Sequence, residues 1–349
     1  MSHPPTIRTT GQEPGLPDRS PQVHGHPWYR RLVRDETGVV AILVGIVVVV
    51  GLMHPDFLGQ DNLLQTARSA VYVGLMAMGM VFALAMREVD LSVGGNFALT
   101  IVVGAALMQA GIPPWATVPI MLVLATAAGA LNGIITTYAQ IPSFIVTLAT
   151  ALLYRGIALA LAQGKQIYDL PQGDSYFTWF GGKTFGVPTG LWVLLVSVVV
   201  LTLVFTRTRF GAQVRAIGSN PDAAAFTGLP VDRVRIQALA LSGLMAGVAG
   251  TSALAFFISG DPTLGVGFEL TAIAAAIIGG TPLSGGRGSI PGAVVGTLIL
   301  ATVTSALVFF RIPINWTSLA TGGVILIAVA ADSALRRYRA SQQAGSIRD

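Results

Sequence analysis

Between Val39 and Asp332 the chain returns repeatedly to uncharged apolar runs about 15–25 residues long, and that pattern leaves it very few folds. Hydrocarbon offers no water to backbone N–H and C=O groups, so each run must satisfy its own polar backbone, as an α-helix does. A bilayer core about 30 Å thick takes roughly 20 residues per crossing. On that measure ten candidate spans lie near 37–53, 66–86, 94–110, 115–137, 144–162, 190–206, 236–258, 270–283, 290–310 and 315–332. The 270–283 segment is short and ends in Gly279-Gly280-Thr281-Pro282, so it also reads as a half-helix meeting a glycine-rich re-entrant loop, which is tolerated only where protein buries it. Composition agrees with an integral membrane protein. Hydrophobic residues make up 53% and charged ones 11%, mean hydropathy is +0.69, and soluble domains carry about a quarter charged residues. The expected fold is all-α, a polytopic transmembrane bundle.

Arginines orient it. Arg30, Arg31 and Arg34 precede the first span, Arg207, Arg209, Arg215, Arg233 and Arg235 follow the sixth, and Arg336, Arg337 and Arg339 follow the tenth. An even number of spans separates each pair of blocks, so all three fall on the cytoplasmic side by the positive-inside rule, and both termini with them. The net charge of +5 therefore reports orientation before it suggests a nucleic-acid partner. Residues 1–36 read as a disordered cytoplasmic tail, rich in Pro, His, Ser and Gly and without a signal-peptide pattern. A transmembrane domain over 37–335 and a cytoplasmic tail over 336–349 complete the division. The loop from Gly164 to Thr189 falls outside.

The polar island 206–236 is the one long interruption. Within it Asn220 suits a helix N-cap, Pro221 the first helical position, Asp222 the positive dipole end, and Gly228 with Pro230 a stop. One short helix is expected, with a small surface at Ala223–Ala225 and Phe226 as its only large apolar side chain. Such a surface suits docking into a partner's groove.

Small-xxx-small pairs, Gly243 with Gly247 and Gly292 with Gly296, read as close helix packing. Ionisable residues at depth are few and are functional candidates by default. At Arg87-Glu88-Val89-Asp90, either Asp90 and Ser92 cap the third span while charge pairing steadies the turn, or the stretch lies on a solute path. Arg155 either pairs with a carboxylate or snorkels to the interface, and Glu269 begins the eighth span. Enzyme signals are weak. Gly182-Lys183-Thr184 has the ending of a phosphate-binding loop but Phe177 where the upstream glycine belongs. The histidines, His3, His24, His26 and His54, all lie outside the spans, no HExxH occurs and there is no cysteine. No metal site or catalytic constellation is expected.

Asp90-Leu91-Ser92-Val93-Gly94, the island residues Phe210-Gly211, Ala216 to Ala224 and Gly228, the run Asp261 to Ala275, and Gly279 to Gly288 follow one another in an order and spacing that resemble the membrane subunit of bacterial ABC importers of the ribose, xylose and galactoside class. The resemblance extends from about Val39 to Asp332. It implies a type II importer-like permease in the bacterial inner membrane that translocates a monosaccharide. The island would be the coupling segment, with Arg209, Gly211, Gly218, Asn220, Ala223, Ala224 and Gly228 meeting a cytoplasmic ATPase, and Asp90, Ser92 and Asn96 on the solute path. ATP and Mg would sit on that ATPase and no cofactor on this chain. A second permease copy, most simply a homodimer, and an external solute-binding protein complete the expected assembly. The chain departs from the family at Glu88-Val89, where Gly-Ile is common, and at Gly218-Ser219-Asn220, where Gly-Gly-Asn is usual. The first departure sets an extra charge beside the third span. The alternatives are an ABC permease for another small polar solute and an ion-coupled secondary transporter; few acids lie within the spans to serve the latter.

Overall fold

The computed structural model describes residues 28–313 and the isolated positions 316, 319, 322, 323, 326 and 330, with backbone alone for 28–36. The chain forms α1 (Trp28–Met53), a short 3-10 turn (Pro55–Leu58), α2 (Gln60–Ala85), α3 (Val93–Gln109), α4 (Pro114–Tyr138) and α5 (Ser143–Leu161). It continues through α6 (Ser175–Phe180), the two-residue strands β1 (Lys183–Thr184) and β2 (Val187–Pro188), α7 (Thr189–Arg207), α8 (Arg209–Ser219), α9 (Pro221–Phe226), α10 (Val231–Phe257), α11 (Phe268–Ile278) and α12 (Ile290–Phe309). Every expected span but the last coincides with a helix. The tenth, 315–332, falls almost wholly outside the described residues, as do residues 1–27 and the tail 336–349. The division expected at residue 36 falls inside α1, which begins at Trp28. Pro27 is the last residue there that a helix interior would reject.

Length decides which helices cross and apolar coverage decides where they sit. Among the described residues six helices are long and apolar enough to span a membrane: α2, α4, α5, α7, α10 and α12. α2 forms the centre, buried without a break from Ala70 to Ala85, and packs against α10, α12, α11 and α7. Its Met76, Met78 and Met80 are fully buried, where flexible thioethers fill gaps between several neighbours. α10 lies between α4, α2 and α3, while α3 is covered by α5, α10 and α4. By contrast α7 turns Leu195, Val196, Val199, Val200 and Leu203 outward, as a helix facing lipid must.

Glycine sets the close approach between α4 and α10. A Cβ at Gly243 would fall 2.4 Å from the Ala125 carbonyl oxygen, and one at Gly129 2.3 Å from that of Leu239. The small-residue spacing is thus a packing device. Gly243→Val is expected to cost about 1–3 kcal/mol by overpacking. It should lower the thermal unfolding temperature in detergent, whereas Gly45→Ala, with nothing within 4 Å, should not.

α11 is too short to cross, about 16 Å at 1.5 Å per residue over its 11 residues. Its crossing is completed by irregular chain on both sides. Gly260 pairs with Ile167 of the loop between α5 and α6 (N–O 2.9 and 3.0 Å), and the Gly286 amide donates to Ala85 at the C-terminal end of α2 (2.8 Å). Residues 260–286 therefore connect one face of the bundle to the other. This is the half-helix alternative, with protein burying the non-helical parts.

Candidate functional site

The island forms two helices where one was expected. Thr208, extended and outside the apolar run, caps α8 by accepting from the Gly211 amide at 3.2 Å. Four residues of α8, Gly211, Val214, Ile217 and Gly218, share a buried stripe at helical spacing, a signal masked by the arginines among them. The second helix matches its sequence cues. Asn220 Oδ1 accepts from the Ala223 amide at 3.0 Å, Pro221 is the first helical residue, and Gly228 turns the chain at φ +80°. Arg215 is half-buried with its guanidinium 5.1 Å from the Phe205 ring and donates to the Phe205 carbonyl; burial holds its pKa below the ordinary arginine value.

Burial divides the expected coupling residues. Arg209, Asn220, Ala223 and Gly228 are exposed. Gly211, Gly218 and Ala224 are buried against the bundle. The reason is close contact: a Cβ at Gly218 would lie 1.7 Å from the Ala85 carbonyl oxygen, and Ala224 packs into the main apolar core. Phe226 is 93% exposed, a large apolar side chain on a polar surface. Beside it a hollow of about 860 Å³ opens between Pro221, Asp222, Ala225, Tyr138 and the first turns of α10.

Above the island the α2–α3 turn gathers several bonds. Arg87, at φ +66°, donates from Nε to the Gly218 carbonyl and from Nη2 to that of Ser219, both at 2.7 Å. Glu88 Oε1 meets Arg235 Nε of α10 at 2.6 Å. The charge pairing expected to steady the turn is made with α10. Val89 is pinned to α5: its amide donates to Ser143 Oγ (3.1 Å) and its carbonyl accepts from Thr147 Oγ1 (3.0 Å).

Asp90, Ser92 and Asn96 are all fully buried. Asp90 Oδ1 accepts from the Ser92 amide (3.0 Å) and hydroxyl (2.6 Å), and Ser242 of α10 lies beside the same carboxyl. Asn132 Nδ2 of α4 donates to Ser92 Oγ at 2.7 Å, and Tyr154 OH of α5 donates to Asn132 Oδ1 at 3.1 Å. Asn96 Nδ2 donates to the Ala125 carbonyl at 3.0 Å. Ser92 does not cap α3 with its side chain; Asp90 leads the chain into the helix by taking the Ser92 amide. One polar network therefore joins α3, α4 and α5, with Ser242 of α10 beside it, sealed from solvent in this conformation. Asn132 and Tyr154 were missed in the sequence; the lone amide of Asn132 in an apolar helix was the available signal.

Next to this network the start of α3 meets the start of α11. Arg155 reaches three carbonyls, Pro262 (3.0 Å) and Leu264 (3.2 Å) of the irregular segment and Gly94 (3.1 Å) of α3, so it neither snorkels nor forms a close ion pair among the described residues. Glu269 stands in the first turn of α11, with Oε1 accepting from the Gly267 amide at 3.2 Å. A Cβ at Gly94 would lie 2.1 Å from Glu269 Oε2, so only glycine lets the two helices meet there. The Gly182-Lys183-Thr184 stretch forms part of a hairpin, with Lys183 opposite Pro188, and opens no helix for a phosphate.

A protein-family model described as branched-chain amino acid transport system / permease component matches residues 62–329. The ribose import permease protein of Haemophilus influenzae is 31% identical over 307 residues, spanning 87% of this chain and 95% of that protein. Its counterpart in Bacillus subtilis is 35% identical over 302 residues, 86% and 93%. A D-allose transport system permease protein of Escherichia coli is 34% identical over 308 residues, 88% and 94%.

Proposed function

This chain belongs to the branched-chain amino acid transport system / permease component family, and from that premise we propose that it is the membrane subunit of an ATP-driven importer that carries a monosaccharide inward. The family is one of transport permeases. Within it the named relatives at 31–35% identity are sugar permeases, which favours a sugar over an amino acid as the solute. The observation that carries the ATP-driven part is Phe226, 93% exposed on a short capped helix that the chain holds firmly from behind. A large apolar side chain left in water at the tip of a polar segment is a docking anchor.

In this reading Phe226, with the exposed Arg209, Asn220, Ala223 and Gly228, enters a cleft of a cytoplasmic ATPase. ATP and Mg are bound there, and this chain carries neither them nor a catalytic site. An external solute-binding protein delivers the sugar to the face that bears α6 and the β1–β2 hairpin. A second copy of the permease completes the passage, and both termini lie in the cytoplasm of a bacterium's inner membrane. The starts of α3 and α11, with Asp90, Ser92, Asn96, Arg155 and Glu269, border the solute's route. Asn96 Oδ1 and Glu269 Oε2, buried acceptors without a partner among the described residues, suit sugar hydroxyls.

The test is uptake into proteoliposomes holding permease, ATPase and binding protein, with radiolabelled ribose, xylose, allose, arabinose and galactose supplied in turn. ATP-dependent accumulation of at least one sugar is expected. If none accumulates with ATP, while the permease alone concentrates solute under a proton or sodium gradient, the importer reading is wrong.

A further inference from the structure

We propose that Arg87 and Glu88 form a two-sided latch that makes the start of α3 follow the island when the ATPase moves it; this rests on the island being the ATPase contact. The island's covalent continuations lead into α7 and α10. Neither is α3, so the start of α3 can follow the island only through a non-covalent link. The α2–α3 turn is that link.

Each arm of the latch holds a different part of the island. Arg87 takes two of the last carbonyls of α8, Gly218 and Ser219, beside Asn220 where the island bends from α8 into α9. A cation there also complements the negative end of the helix dipole. Its left-handed backbone, φ +66° on a residue with a long side chain, is a conformation that the surroundings must enforce. Glu88 holds Arg235, in the first turns of α10 where the island ends, and the two side chains are only 13% and 26% exposed, so solvent screens the pair weakly.

From these two residues the connection inward is immediate. Val89 is bonded on both its backbone groups to α5, and Asp90 receives the amide and hydroxyl of Ser92 at the start of α3. Arg235 also has a second carboxylate within reach, Asp232 at 3.8 Å, itself 68% exposed. When the turn parts from α10, the guanidinium transfers to Asp232, and the cation is never left alone. A switch of this kind has two arrangements, and in both the Arg235 guanidinium has a carboxylate within reach.

The experiment uses the full complex in proteoliposomes and reads radiolabelled sugar accumulated per ATP hydrolysed. Glu88→Gln is expected to retain the ATPase and to hydrolyse ATP at a rate within about twofold of wild type, while sugar per ATP falls about fivefold or more. Glu88→Arg and Arg235→Glu should each uncouple, and the double exchange should restore the ratio to within about twofold of wild type. An unchanged ratio in Glu88→Gln, a double exchange no better than its parents, or loss of the ATPase from Glu88→Gln each overturns the latch. Hydrogen exchange on the permease alone separates this from the importer reading, because it needs no transport. Glu88→Gln should speed exchange together at Ile217–Asn220 and at Val93–Phe97, and a change confined to the first segment overturns the latch even if uptake is sound.

Discussion

Phe226→Asp is expected to release the ATPase from the permease and to abolish ATP-driven uptake, with the permease itself still folded. Burial of a phenylalanine side chain contributes about 1.5–3 kcal/mol, and placing a carboxylate in the same cleft adds a desolvation cost, so association should weaken about 100-fold or more. The permease should not feel the change, since the ring is 93% exposed. Co-purification with the ATPase, followed by the unfolding temperature of the permease, reads both halves. Retention within about threefold of wild type would remove Phe226 from the interface, since hot-spot truncations cost far more. Ala224→Arg, the substitution that the small-residue surface suggests, asks a different question. Ala224 is 6% exposed and packed in the core, so that variant tests folding of the island and does not report on docking.

Arg155→Met is expected to cost about 3–6 kcal/mol of stability and most of the uptake. Its guanidinium is the common donor for Pro262, Leu264 and Gly94, which belong to two separate parts of the chain. Hydrogen bonds to a charged group contribute about 1.5–3 kcal/mol each, and a buried carbonyl left unmet adds its own penalty. Methionine keeps the bulk and loses every donor. The irregular segment before α11 should then come loose from α3, and the passage between the starts of these helices should lose its shape. Arg155→Lys should rescue only in part, because one ammonium cannot reach three carbonyls in the fork geometry of a guanidinium. Unfolding temperature and sugar uptake within about twofold of wild type for Arg155→Met would show that the carbonyls find other donors.

Much of the island was legible because capping is local. Asn220, Pro221 and Gly228 each act on backbone groups within three residues of themselves, so their pattern identified α9 without any tertiary information. α8 was not legible as a helix. Its apolar stripe of Val214 and Ile217, with a glycine on either side, is thin, and Arg209 and Arg215 make the segment look like a linker. The path candidates show the same division. That Asp90 and Ser92 belong to the start of α3 follows from their position; that Asn132, Tyr154 and Ser242 meet them depends on three other helices arriving at one level. Arg155 left two readings open, and the bundle chose a third, because carbonyls freed by an irregular segment lay closer than any carboxylate.

What the sequence determined by itself was the helical, membrane-crossing character of the chain, the place of almost every span and the hinge of the island. Those follow from forces that act along the chain: the need of each apolar run to pair its own backbone in hydrocarbon, and the caps that end it. Only the tertiary structure decided which side of the island is left exposed, which buried polar groups meet, and that Arg87 and Glu88 contact the island. Those facts depend on side chains far apart in sequence being brought within about 3 Å, and the packing that brings them there is set by all the helices at once.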